Sequence, residues 1–108
     1  LPLEFDGDLV AEVSSADGER ARWTELRLWL LADGRGYVVE SVGCTTFAGE
    51  VTLRAAFHCP TVDDVIARLR KSDASRGARR SYLPTICWDL LVQAHEAGAL
   101  VLPDVERV

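Results

Sequence analysis

The side chains best suited to chemistry in this sequence are Cys44, Cys59, Cys87, His58 and His95. Two of them are neighbours, in "AFHCPTVDDVIARL" (56–69). Thiol and imidazole serve together as zinc ligands and as nucleophile and base. Either use requires both side chains to converge on one atom, so the element that carries them decides the matter. The run "VTLRAAFHC" (51–59) alternates: Val51, Leu53, Ala55, Phe57 and Cys59 share one parity, and Thr52, Arg54, Ala56 and His58 the other. That is a strand with one apolar face, and neighbours on a strand point to opposite sides. Cys59 is therefore expected to be buried and inert, with His58 facing away from it.

The residues that follow support a boundary. Pro60 removes a ladder donor and stops the strand. Thr61 is a good N-cap, with Asp64 three residues on as a capping-box partner and Asp63 and Asp64 suited to the positive end of the helix dipole. Val62, Val65, Ile66 and Leu69 form one apolar stripe at helical spacing. The remaining soft ligands lack metal spacing: there is no C-x-x-C or H-x-x-x-H, and Cys87 and His95 are too far apart along one helix to share an ion. Ser41, Ser72, Ser75 and Ser81 lack a G-x-S-x-G setting. "DGRGY" lies between strands and does not open a helix, so it reads as a hairpin turn and not a phosphate loop. No catalytic residue, cofactor or metal is expected, and the protein is read as a non-enzyme.

The elements that position these residues fall into two halves. "DLVAEVS" (8–14) ends at an Asp17-Gly18 turn signal. "ARWTELRLWLL" (21–31) is a long strand with Leu26, Leu28 and Leu30 at a period of two, and "ADGRG" (32–36) turns it into "YVVESVG" (37–43). With an even loop, Leu26, Leu28 and Leu30 share a face with Tyr37, Val39 and Ser41. The reverse face then carries Trp23, Glu25, Arg27 and Trp29 with Val38, Glu40 and Val42, and Arg27 can pair across the strands with Glu40. After the 62–69 helix comes "PTICWDLLVQAHEAG", a second helix with Pro84 in its first turn and Gly98 as a left-handed stop. The tail is expected to add a short edge strand over 99–102. The reading is one α+β domain over residues 1–108, with about four antiparallel strands followed by two amphipathic helices packed on one sheet face.

Composition sets the outer limits. The chain has 108 residues, 48% hydrophobic and 27% charged, which is ordinary for a folded domain able to build its own core. No apolar run is long enough to span a bilayer, and "LPLEFDGDLV" has no basic segment leading into an apolar stretch, so neither membrane insertion nor a secretory leader is expected. The odd cysteine count favours reduced thiols and a cytoplasmic location. The net charge of −5 is unevenly spread. "RLRKSDASRGARR" (68–80) carries +5, leaving −10 on the rest.

Two surfaces remain as binding candidates. The first is the sheet face bearing Trp23, Arg27, Trp29, Glu40 and Arg54, whose tryptophan and arginine content matches the anchors of protein interfaces. The alternative is that a terminal segment covers this face and makes it a second small core. The second surface is the basic segment, through Arg68, Arg70, Lys71, Arg76, Arg79 and Arg80. It reads as a solvated connector between helices, or as a site for an acidic partner or a phosphate backbone. "RWTELRLWLLADGRGYVVESVG", the helix after it and "YLPTICWDLLVQAHEAG" together resemble small uncharacterised bacterial proteins of the EXLDI type over residues 22–98, although the Leu-Asp-Ile ending is absent. That resemblance implies no catalytic residues. In size and acidity the chain is also similar to phage-encoded inhibitors of bacterial defence. The expected function is a protein-interaction domain (regulator, inhibitor or assembly subunit) with another protein or a second copy of itself as partner. A nucleic-acid-associated role is the alternative.

Overall fold

In the structure, a computed structural model that describes residues 5–16, 18, 21–72 and 81–102, an antiparallel sheet precedes two helices in an α+β arrangement. The strands are β1 (Gly7–Ser14), β2 (Arg22–Leu31), β3 (Tyr37–Thr45) and β4 (Leu53–Cys59), in sheet order β1-β2-β3-β4. The helices are α1 (Val62–Leu69) and α2 (Thr85–Glu96). Between them β5 (Lys71–Ser72) pairs with β6 (Ser81–Tyr82) as a small separate ladder. Among the described residues no helix is long and apolar enough to cross a membrane.

Register follows from side-chain alternation. Leu28 sits opposite Val39, Leu30 opposite Tyr37 and Arg27 opposite Glu40. A slip of one residue would send every leucine of β2 to the opposite face. β1 bulges between Leu9 and Ala11, so that Val10 and Ala11 both reach the core. The main core lies between one sheet face and both helices. Leu28, Val65, Leu90, Leu91 and Ala94 are fully buried in it, with Val39, Cys59 and Cys87 nearly so.

The helix ends are built as their sequences require. The Thr61 hydroxyl accepts from the Asp64 N–H at 3.1 Å and the Asp64 carboxylate accepts from the Thr61 N–H at 3.2 Å, a complete capping box. Gly98, at φ +75°, closes α2: its N–H reaches the His95 carbonyl and the Ala99 N–H reaches that of Ala94. That pair of bonds is the Schellman arrangement. Pro84 stands at the N-cap of α2, one position before the helix, where a missing N–H costs nothing.

The hairpin turn between β2 and β3 is present, built on a short 3-10 helix, Ala32–Gly34. Three other expectations need correction. Residues 99–102 are not a strand: the Tyr37 hydroxyl donates to the Ala99 carbonyl at 3.0 Å and His95 Nδ1 to that of Leu100 at 3.2 Å, while Leu100 is buried in the core. The backbone there is held by side chains instead of a ladder. The basic segment is not a plain loop, because Arg68 belongs to α1 and Lys71 and Ser72 to β5. Finally, Val51 precedes β4, and both Val51 and Leu53 are exposed despite the parity they share with Phe57. Length explains this: helices of 8 and 12 residues run about 12 and 18 Å, whereas a ten-residue strand runs about 33 Å. The helices cover only part of the sheet. The Asp17-Gly18 turn falls partly outside the described residues, with Gly18 at φ +81°.

Candidate functional site

The sheet face turned away from the helices is organised in cross-strand rows. Leu9, Trp29, Val38 and His58 form one row, and Glu12, Arg27, Glu40 and Ala56 the next. Beyond them come Ser14, Glu25, Val42 and Arg54, then Trp23 with Cys44. The sequence-derived candidates Trp23, Arg27, Trp29, Glu40 and Arg54 therefore do share one face. They do not form one patch. Six residues of strand separate the tryptophans, about 20 Å, with the charged row between them.

Arg27 is the centre of that row. Its guanidinium meets Glu12 at 2.7 Å, Glu25 at 3.0 Å and Glu40 at 3.2 Å. The Glu40 contact follows from the strand register. Glu12 was invisible to that reasoning because nothing in the sequence declares which strand flanks β2 on its other side. The hydrogen bonds that the guanidinium donates to Glu12 and Glu40 hold its pKa above the ordinary value. Glu25 is held below the usual carboxylate range, chiefly by the Trp23 indole N–H, which donates to it at 3.1 Å. Three carboxylates against one guanidinium leave this cluster negative, with exposed Arg54 at the β4 end of the Glu25 row.

The two ends of the face differ. At the Trp29 end, Phe5 meets the indole edge-on, with ring centres 5.4 Å apart at 69°. Leu31 and Val38 here, and Val42 beyond the charged row, are buried without belonging to the helix-side cluster, so this face carries a second, smaller core. The Trp29 indole N–H is buried and finds no acceptor among the described residues. At the Trp23 end the surface is open. Trp23 and Cys44 line a shallow cleft of about 400 Å³ that wraps the end of the sheet to Thr24 and Leu53 of the helix side, with Val51 and Leu53 73% and 70% exposed. Its rim is held by Arg22, which forms an ion pair with Glu50 at 2.8 Å and lies over the Phe47 ring at 4.8 Å.

No family model, curated protein or solved structure matches this chain. Function has to be argued from these surfaces alone.

The His58-Cys59 pair is divided by the strand. Cys59 is buried with the helix-side core, and burial pushes its thiol pKa up, with Arg68 pulling weakly the other way. His58 is exposed on the reverse side, where Nε2 donates to the Arg35 carbonyl at 2.8 Å and ties β4 to the turn after β2. That contact, joining residues 23 positions apart, left no trace in the sequence pattern. Cys87 is also buried and its thiol raised for the same reason. Cys44 is half-buried, its thiol raised by desolvation and then by the Glu25 charge. Among the described residues no three of His, Cys, Asp and Glu are grouped as a metal ion would need.

Thiol reactivity checks this arrangement. In the native protein near neutral pH, Cys44 should label first, and faster as pH rises, because a raised pKa means little thiolate at neutrality. Cys59 and Cys87 should label only once denaturant opens the fold. Rapid native labelling of Cys59 would contradict its burial.

Of the basic candidates, Arg68 lies over the Phe57 ring at 3.9 Å from its centre, Arg70 caps α1, and Lys71 is exposed in β5. Arg76, Arg79 and Arg80 lie outside the described residues.

Proposed function

We propose that this protein is a non-catalytic interaction domain that binds another protein through the helix-free sheet face, centred on its Trp23 end. The observation that carries the reading is the open cleft where that face turns round the end of the sheet: a half-buried tryptophan on one face and the strongly exposed Val51 and Leu53, the latter on the part of the helix side that no helix covers. A tryptophan anchor flanked by apolar surface, with a charged rim, is the composition of an interface centre. The charged row supplies selectivity. Glu12, Glu25 and Glu40 are already oriented on Arg27, so a partner with a well-placed lysine or arginine meets carboxylates that need no reordering. Trp29, braced by Phe5, is expected to stabilise the face more than to contact the partner.

The test is comparative capture from the source cell with identification of what is retained. Trp23→Ala and Arg54→Glu should each lose a species that wild type and Cys59→Ser retain, with circular dichroism and melting temperature nearly unchanged. Retention by both variants would end the reading. If the species is a second copy of the chain, light scattering should show a dimer that Trp23→Ala dissolves. The nucleic-acid alternative makes the opposite pattern: low-salt binding to DNA or RNA that survives Trp23→Ala and disappears with Arg70→Glu.

A further inference from the structure

The face that carries the helices also has an opening. Where the chain leaves α1, forms the β5-β6 ladder and enters α2, the helices do not meet over the sheet. The gap is a cleft of about 330 Å³. That size is at the lower end for small-molecule sites, roughly 300–1,000 Å³. Its floor is made by the helix-side residues of β2, β3 and β4, with Leu26 and Val39 apolar and Thr24 and Ser41 bearing hydroxyls. Ile86 and Cys87 from the start of α2 form one wall, and Leu69 from the end of α1 the other.

The charges around it have one sign. Arg68 and Lys71 line the cleft, and no carboxylate does so among the described residues. Arg68 is held in place by the Phe57 ring beneath it. Lys71 and Cys87 line the same cleft, and the lysine charge pulls against the burial that raises the Cys87 thiol. The positive end of α2, which has no side-chain cap, adds to the same field. A pocket with an apolar body and cations at its edge, in a chain whose net charge is −5, is selective by contrast with its own surface.

We propose that this cleft binds a small monocarboxylate with an apolar tail, its carboxylate at Lys71 and Arg68 and its tail along Leu26, Val39 and Ile86. An apolar tail gains from displacing water over the floor, while the carboxylate selects against neutral and cationic molecules of the same shape. The site opens on the helix side, whereas Trp23 lies on the reverse face, and the two clefts share only Ser15 and Thr24 in their linings, through which an occupant of one can act on the other.

Sodium octanoate, octanol and octylammonium titrated into the full chain, followed by amide chemical shifts, test the idea. Octanoate should give saturable shifts at Thr24, Ser41, Ala55 and Ile86; octanol should bind more weakly and octylammonium not at all. Lys71→Glu, at an exposed position, should weaken octanoate about tenfold. Ser41→Leu should block the floor, and Trp23→Ala should leave octanoate binding intact. No saturable shift with octanoate would overturn the proposal. So would shifts centred on Trp23, equal affinity for octylammonium, or no effect of Lys71→Glu.

Discussion

Replacing Gly36 with alanine should destabilise the protein by about 3–5 kcal/mol, among the larger effects available to a single methyl group. Gly36 is buried at φ +103°, in the turn that brings β3 back along β2. A Cβ there would stand 2.6 Å from the carbonyl oxygens of both Cys59 and Pro60 and 2.7 Å from the Pro60 Cα. These are backbone atoms, so no rotamer change relieves the overlap. The same corner is held by the Leu31 N–H donating to the Gly36 carbonyl at 2.9 Å and by His58 Nε2 on the Arg35 carbonyl. Forcing the turn outward therefore strains the β2-β3 hairpin and the end of β4 together. Gly34 supplies the control. It has φ +69° in the same turn, with open space where its Cβ would go, so Gly34→Ala should cost only about 1 kcal/mol. Urea unfolding of the two variants measures the difference; equal midpoints would refute the close approach of the turn to Pro60.

Leu28→Ala should remove about 3 kcal/mol, and with it about 10–20 °C of melting temperature. Leu28 is fully buried at the middle of the helix-facing side, in a row with Ala11, Val39 and Phe57 and below both helices. The atoms it loses leave a cavity bounded by sheet and helix backbone, which cannot close around it. Leu53→Ala, at the same parity on β4 and 70% exposed, should change stability by less than about 0.5 kcal/mol. It should nevertheless weaken partner capture, because Leu53 lines the cleft beside Trp23. Comparable destabilisation by the two substitutions would mean that the helical layer extends over Leu53 as well.

The leucine pair shows where sequence reasoning stops. Alternation made β2, β3 and β4 legible, along with the parity of every side chain on them, because strand geometry allows only two directions. The hairpin parity then placed Arg27 opposite Glu40, and both have those positions. The capped start of α1 at Thr61 and the glycine stop of α2 at Gly98 were equally readable, since capping chemistry is local. The same reasoning separated His58 from Cys59.

Other features depended on elements far apart in the chain, and these only the tertiary structure decided. Parity says which side of a sheet a residue faces, but not whether anything lies on that side. Leu28 and Leu53 therefore look alike in sequence, and only the short reach of two helices distinguishes them. β1 flanking β2 brought Glu12 to Arg27 and converted one ion pair into a three-carboxylate cluster. Phe5 against Trp29 divided a face that the sequence presented as uniform. The tail surrendered its expected strand because Tyr37 and His95 reached its carbonyls first. Local rules act through the backbone of a few neighbouring residues, and they determined β2, β3 and β4, the helix caps and the facing of the side chains on those strands. Burial, ion clusters and clefts arise between segments brought together only by folding, so those belonged to the structure.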